Sequence, residues 1–347
     1  KKLQTSCKIE SITEHCTAQT DGLGRNYRNT GQFPFPCCQI YLCLASNDGE
    51  GRQTMQIAYH IGANCTDEDR LLKSILKNTD ILLRQGIAVP GPSRYRSLLR
   101  ETIQNLGTEP PAPGTRDILL ESIVEIVSID RMVLWNDNFI CIPKRIFDHG
   151  VFYPQAELKV RGLHRLFPTD DISLFLGIRN PITFLQETFR RSKAPDLQTY
   201  LGFMKPEELR WSDVISRIKA GAPDTHLTVW CNEDSPLLWD QIMHKITGVV
   251  GGTSLKGGQD LLASILNKEG MAVLEQELIS QPEMTNPQRH ELIANIWEDH
   301  AIAQSVEDEI DLPDLPTNLV DQLTAAYEAD VDRIDAMEGV TLLMPFR

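Results

Sequence analysis

The sequence lacks any run of 18 or more apolar residues, the length that a membrane-spanning helix needs. It begins KKLQTSCKIESITEHC, with two lysines but no apolar core after them, so no secretory signal is predicted. It also lacks an excess of positive charge, since 34 Lys and Arg face 48 Asp and Glu for a net charge of -14. Nucleic acids and anionic membranes bind basic surfaces, so neither is expected as a partner, and a cytoplasmic protein is predicted.

Two nucleotide- and metal-binding signatures are missing. GVVGGTSLKGG contains glycines but no Gly-Lys-Ser/Thr, so ATP or GTP hydrolysis on a Walker A loop is not expected. Five of the eight cysteines lie in the first 43 residues, yet none forms a CxxC pair. His15-Cys16 has no partners at zinc spacing, so no metal site is predicted, and the scattered cysteines are typical of a reducing compartment.

What the sequence does contain is an alternation of strand and helix patterns from Met55 onward. We divide the chain into a poorly patterned N-terminal appendage, residues 1–54, and an α/β domain, residues 55–347, whose C-terminal part is largely helical. Strands separated by helices favour a parallel sheet between two layers of helices. Segments 56–62, 173–179 and 226–231 are predicted to lie close together in that three-layer α/β fold. Long helices are predicted over 67–86 and over 117–129.

The segment MQIAYHIGANCTDEDRLLKSILKN, residues 55–78, has the layout of a phosphate-binding unit: a strand, a short loop and a helix. The loop nevertheless carries Asp67, Glu68 and Asp69 and no lysine. These acids would repel an anion unless they point away or bind a cation. The alternative interpretation is structural, with Thr66 or Asp67 as an N-cap and the following acids in the first helical turn.

Taken with ISLFLGIRNP and HLTVWCNED, this segment resembles the sulfotransferase family, in particular its bacterial members. The resemblance implies a P-loop-type α/β fold and transfer of a sulfuryl group from 3'-phosphoadenosine 5'-phosphosulfate. The family's phosphosulfate loop reads Pro-Lys-Ser/Thr-Gly, and it aligns with Asn64, Cys65, Thr66 and Asp67. Only Thr66 fits the pattern. Arg70 or Lys73 is expected to replace the missing lysine.

The family's second cofactor site, for the 3'-phosphate, matches Arg179-Asn180-Pro181. Its serine position falls on Glu187, and Arg190 and Arg191 are expected to compensate for that mismatch. We expect Arg179 at the mouth of a cleft facing residues 64–70, with its guanidinium free for a phosphate, or else paired with a neighbouring acid. The resemblance therefore implies the following cofactor-binding residues: Asn64, Thr66, Arg70, Arg179 and Glu187.

No catalytic residue is assigned from the sequence. His164 could serve as a base, but a helical surface position is favoured; His60 could face the loop or be a buried histidine. Two functions are open. The first is a divergent sulfotransferase acting on a hydroxyl of a carbohydrate or small molecule. The second is a non-catalytic protein of the same fold that binds another ligand or a protein partner.

Overall fold

Six short apolar segments, each rich in β-branched or aromatic residues, pair into one sheet. The structure is a computed structural model that describes residues 54–125, 128–302, 310–312 and 318–346. The strands are β1 (Gln56–His60), β2 (Ile87–Ala88), β3 (Arg131–Trp135), β4 (Asp171–Ile178), β5 (His226–Cys231) and β6 (Val340–Leu343). The predicted appendage, residues 1–54, lies outside the described residues apart from Thr54, and that boundary stays a prediction.

The sheet is entirely parallel and has the strand order β2-β3-β1-β4-β5-β6. The predicted neighbours 56–62, 173–179 and 226–231 are β1, β4 and β5, which lie side by side, so that prediction is confirmed. In the register of the sheet, His60 at the end of β1 pairs with Trp135 of β3 and Phe175 of β4. Beyond His60 the backbone stays paired with β4, where the Ala63 N–H donates to Gly177 O at 2.8 Å.

Helices occupy the connections between the strands. They are α1 (Arg70–Leu76), α2 (Thr79–Arg84), α3 (Pro92–Leu106), α4 (Thr115–Ile123), α5 (Ala156–Leu166), α6 (Pro181–Ser192), α7 (Leu197–Leu201), α8 (Trp211–Gly221), α9 (Ser235–Thr247), α10 (Leu262–Ile265), α11 (Lys268–Ser280), α12 (Asn286–His300) and α13 (Leu319–Asp335). Four of these helices, α10 to α13, lie in the C-terminal part of the described residues. No helix among the described residues is both long enough and apolar enough to cross a membrane.

Side chains alternate between the two faces of each strand, and both faces are buried. On one face, Ile57, Tyr59 and neighbours from the other strands pack against α3, α4, α5, α6, α8 and α13. On the other face, Ala58, Val133 and Trp230 pack against α1, α2 and α9. The predicted three-layer arrangement of a parallel sheet flanked by helices is therefore present.

Two helix predictions are wrong in their extent. The single helix expected over 67–86 is two helices, α1 and α2, separated at Lys77 and Asn78. The buried Asn78 amide donates to Ser74 O and Lys256 O, and its oxygen accepts the Lys256 N–H, so a tertiary contact interrupts the helix here. The helix expected over 117–129 ends at Ile123, where Val124 has extended backbone.

Candidate functional site

The sheet has a topological switch point between β1 and β4. After β1 the chain continues to β2, on the β3 side, whereas after β4 it continues to β5, on the opposite side. The loops that leave the carboxyl ends of these two neighbouring strands therefore diverge, which opens the crevice where α/β sheets bind ligands. A cleft of about 690 Å³ lies there. Its polar and charged lining comprises Cys65, Thr66, Asp67, Glu68, Arg70, Arg179, Asn180, Thr183, Glu187, Arg190, Asn232 and Glu233.

The loop after β1 has a constrained backbone. Gly62 has φ +126, and a Cβ there would lie 3.2 Å from Asp137 O, so glycine is required at this turn. Cys65, Glu68 and Asp69 have φ of 60, 54 and 60, a left-handed conformation that side chains disfavour. Such a cluster of disfavoured backbone persists only where the surroundings hold it in place, and it is typical of ligand-binding loops.

Asn64 supplies part of that support and does not line the cleft. Its side chain is fully buried, and its amide donates to Asp137 O at 3.1 Å and to Cys141 O at 3.2 Å. The Tyr153 hydroxyl donates to Asn64 Oδ1 at 2.7 Å. The structure therefore corrects the expected role of Asn64: it braces the loop from behind, whereas Thr66 of the same loop faces the cleft.

Two of the three loop acids are neutralised by arginines from other elements. Glu68 forms an ion pair with Arg191 of α6, and Asp69 forms one with Arg96 of α3 at 3.0 Å. Helix α1 begins at Arg70, so the interpretation that these acids sit in its first turn is wrong. The repulsion expected from the sequence is therefore reduced at both positions, because each carboxylate already has a cation.

Asp67 differs from the other two loop acids. Its Oδ2 accepts the N–H of Leu71 in the first turn of α1 at 3.0 Å, but the N-cap position is Asp69, so the expectation that Thr66 or Asp67 is the N-cap is wrong. Burial raises the pKa of Asp67 from 3.8 to about 7, with a smaller contribution from Asp69 and Asp137. Burial likewise raises the pKa of the Cys65 thiol to about 11, so this side chain is neutral at neutral pH.

Arg179 connects the two sides of the switch point. It follows β4, and its Nη1 donates to Cys65 O at 2.9 Å while Nε donates to Thr183 Oγ1 at 2.9 Å. The Trp211 indole N–H donates to Arg179 O at 2.8 Å. The guanidinium lies in the predicted place, but it holds the loop after β1 and is not free as expected.

The turn that carries Arg179 is fixed by the C-terminal helix. Glu233 Oε1 accepts the Asn180 N–H at 2.8 Å, and Glu233 Oε2 accepts the Tyr327 hydroxyl at 3.1 Å. The Asn180 side chain caps α6 by accepting the N–H of Ile182 at 3.1 Å. The Asn-Pro pair signals this cap in the sequence, whereas the supporting contacts come from distant segments.

The remaining predicted cofactor residues lie on the cleft. Glu187 lines it but forms an ion pair with Arg190 at 2.6 Å. Arg70 is exposed, lines the cleft, and makes no ion pair with any residue that the structure describes. Arg70 of α1 and Arg190 of α6 thus line the same cleft as Arg179, and the expected replacement of the missing lysine by Arg70 stays a prediction.

The weaker candidates lie elsewhere. His60 is fully buried and stacks on Trp135 with the ring centroids 3.6 Å apart. His164 is a partly exposed residue of α5 and is not among the residues that line the cleft. Within the part of the chain that the structure describes, no group of three or more His, Cys, Asp or Glu side chains could hold a metal ion.

Comparison with models of protein families, with curated proteins and with solved structures gives no match for this chain.

Proposed function

We propose that this chain is a divergent sulfotransferase-like protein that binds 3'-phosphoadenosine 5'-phosphosulfate in the cleft between β1 and β4. The observation that carries the proposal is the contact of Arg179 with Cys65 O at 2.9 Å. It joins the two sequence motifs of the resemblance at a topological switch point, where α/β sheets bind ligands.

The cleft suits such a ligand in size, and its lining carries three arginines beside four carboxylates. A volume of about 690 Å³ lies within the range typical of small-molecule sites, and Arg70 and Arg190 border it. The polar groups available to hold phosphate oxygens are Thr66, Arg70, Arg179 and Arg190, of which Thr66, Arg179 and Arg190 are partly engaged with the protein, the Thr66 hydroxyl donating to Ala63 O at 2.9 Å. Arginine is well suited to this role because its planar fork can bind two oxygens of one phosphate.

The chemistry supplied by the cofactor is donation of a sulfuryl group to a hydroxyl of a carbohydrate or small molecule. The bound cofactor would give its sulfuryl group to the acceptor oxygen and leave as adenosine 3',5'-bisphosphate, and the hydroxyl proton would pass to solvent. The protein residues would position the two partners and balance the charge on the leaving phosphate.

Binding is tested by titrating adenosine 3',5'-bisphosphate into the full chain in a calorimeter. Arg179→Ala should weaken binding tenfold or more, about 1.4 kcal/mol per tenfold, because both a cation and a loop contact are lost. Arg179→Lys restores the charge without the fork and should recover part of the affinity. Arg94→Ala, which removes an exposed arginine paired with Glu125, is the matched control. Equal affinity in all variants would exclude the proposed site.

The second candidate is a non-catalytic protein of the same fold that binds another ligand or a partner. It is favoured by one observation: no lysine is among the residues that the structure describes as lining the cleft, and neutral Cys65 occupies the family's lysine position. Transfer of labelled sulfate from the cofactor to a panel of hydroxyl acceptors distinguishes the two functions. Nucleotide binding without any labelled product would favour the non-catalytic function.

A further inference from the structure

The carboxylates that line the cleft are not equivalent. Glu68 pairs with Arg191, and Glu187 pairs with Arg190. Glu233 accepts the Asn180 N–H and the Tyr327 hydroxyl. Asp67 makes no ion pair with any described residue, and its Oδ2 accepts a hydrogen bond from the N–H of Leu71. When an anion enters the cleft, the negative charge of Asp67 would therefore repel it unless the carboxylate is protonated.

The surroundings of Asp67 disfavour its negative charge. Asp67 is half-buried just before α1, and two further acids, Asp69 and Asp137, add to the effect of burial in raising its pKa. The charged or titratable groups in its own loop, along the rest of the cleft wall and on the neighbouring elements are Cys65, Glu68, Asp69, Arg70, Arg96, Asp137, Arg179, Glu187, Arg190, Arg191 and Glu233. The arginines nearest to the loop acids are already paired with Glu68 and Asp69.

We propose that Asp67 binds the anion of the cleft as a neutral carboxylic acid whose O–H donates a hydrogen bond to a ligand oxygen. This inference rests on the proposed function, because it concerns the same cleft and the same phosphate-bearing ligand. The Leu71 N–H donates to Oδ2 at 3.0 Å, so we assign the proton to Oδ1, and Asp67 is among the residues that line the cleft. A carboxylic acid kept neutral by its surroundings is an established type of donor in enzyme sites.

The charges of the three loop acids are then compensated without a lysine. Arg191 compensates Glu68, Arg96 compensates Asp69, and a proton compensates Asp67. No other group need change its protonation state. When the ligand binds at a pH at which Asp67 is ionised, the protein takes up one proton from solvent, and binding weakens as the pH rises.

The test is calorimetric titration of adenosine 3',5'-bisphosphate into the full chain between pH 6 and pH 9. Each titration is repeated in two buffers that differ in ionisation enthalpy, which gives the number of protons taken up. The phosphates of the ligand themselves titrate at about pH 6, so the uptake by Asp67 is the difference between the wild type and Asp67→Asn, which we expect to rise from near zero at pH 6 towards one proton at pH 9. The dissociation constant should increase by up to about tenfold per pH unit above pH 7, the slope that one linked proton gives.

Variants identify the group that takes up the proton. Asp67→Asn keeps an N–H donor and cannot titrate, so its affinity should vary little above pH 7 and should exceed that of the wild type at pH 9. Asp67→Ala removes the donor and should bind less tightly than the wild type at pH 6. Asp80→Asn, which changes an exposed aspartate of α2, is the matched control and should retain the proton uptake.

The outcomes separate this inference from the proposed function. Binding of the bisphosphate with equal proton uptake by the wild type and Asp67→Asn overturns the role of Asp67 and leaves the site in place. Tighter binding by Asp67→Ala than by the wild type at pH 6 also overturns it, since Asp67 would then act by simple repulsion. Absence of binding at every pH overturns the proposed function together with this inference.

Discussion

At position 60 the chain buries a histidine in the centre of the sheet. Its ring stacks on Trp135, and neither ring nitrogen has a hydrogen-bond partner among the described residues. Burial, with a further contribution from Arg96, lowers the pKa of His60 from 6.5 to about 3. The folded protein therefore keeps this ring neutral in a pH range where the unfolded chain would protonate it.

That difference makes a prediction about acid stability. Below pH 6.5 the unfolded state binds a proton that the folded state excludes, so the free energy of unfolding falls as the pH drops from about 6.5 towards 3. The loss from this one group is about 1.4 kcal/mol for each pH unit in that window. His60→Phe keeps a stacking ring without the titration. Its stability relative to the wild type should rise by about 2.5 kcal/mol between pH 7 and pH 4.5, measured by urea unfolding.

His164→Gln is the control for this experiment, because it removes a partly exposed histidine of α5. Its stability difference from the wild type should be nearly the same at both pH values. If His60→Phe also showed a constant difference, the folded protein would accept a proton on His60, and the ring would not be excluded from water as described.

At the scale of the elements, the sequence predicts what depends on local pattern. The strands β1, β4 and β5 are readable because each is an apolar run between turn signals, and their order follows from the βαβ connections. The break between α1 and α2 is not readable, since it depends on the contact of Asn78 with Lys256, 178 residues further along the chain. A helix pattern cannot report such a partner, so tertiary structure overrides propensity there.

The same limit applies to the candidate site. The positions of Thr66, Arg70 and Arg179 on one cleft follow from two motifs at the ends of neighbouring strands. The neutralisation of Glu68 and Asp69 cannot be predicted from these motifs, because their partners Arg191 and Arg96 lie on other helices. The acids of the loop can be identified from the sequence, whereas their ion-pair partners cannot.

The end of α6 provides a prediction about backbone conformation. Lys193 caps this helix with φ 59 and ψ 24, the left-handed conformation in which helices usually place glycine. Lys193→Gly should raise the free energy of unfolding by about 0.5–1 kcal/mol in urea denaturation. Lys193→Ala keeps a Cβ and should give no comparable gain. An equal gain in both variants would mean that the lysine side chain, and not the backbone, is responsible.

The C-terminal helix α13 provides a prediction about the cleft. The Tyr327 hydroxyl donates a hydrogen bond to Glu233, and Glu233 also accepts the N–H of Asn180, the residue that follows Arg179. Tyr327→Phe should cost about 1 kcal/mol of stability and weaken binding of adenosine 3',5'-bisphosphate several-fold, since the turn loses support. Tyr200→Phe removes a similar half-buried bond, to Pro143 O at 2.9 Å, away from the cleft. It should cost similar stability and leave affinity unchanged; an equal loss of affinity would show a general effect of stability.

At the scale of the whole molecule, the described residues form cores of different size. The two faces of the sheet bury large clusters of side chains, whereas α10, α11 and α12 share a small cluster of their own. Its buried members are Leu262, Ile265, Leu266, Leu274, Ile293 and Ile296. Connections from these helices to the body include the ion pair of Arg289 with Asp240 at 3.0 Å. Because these helices bury less apolar surface among themselves, less free energy stabilises their folded arrangement.

We therefore expect the helices α11 and α12 to open as a unit before the sheet unfolds. In native-state hydrogen exchange at low denaturant, their amides should exchange with a free energy at least about 2 kcal/mol below that of β1 and β4. Because Leu261, Ile265 and Trp297 of this region line the cleft, bound adenosine 3',5'-bisphosphate should raise that free energy. The amides of α5, on the other side of the sheet and away from the cleft, serve as the reference. If α11, α12 and β1 converge on a single exchange isotherm without ligand, the molecule unfolds as one cooperative unit and the small cluster is not separable from the main core.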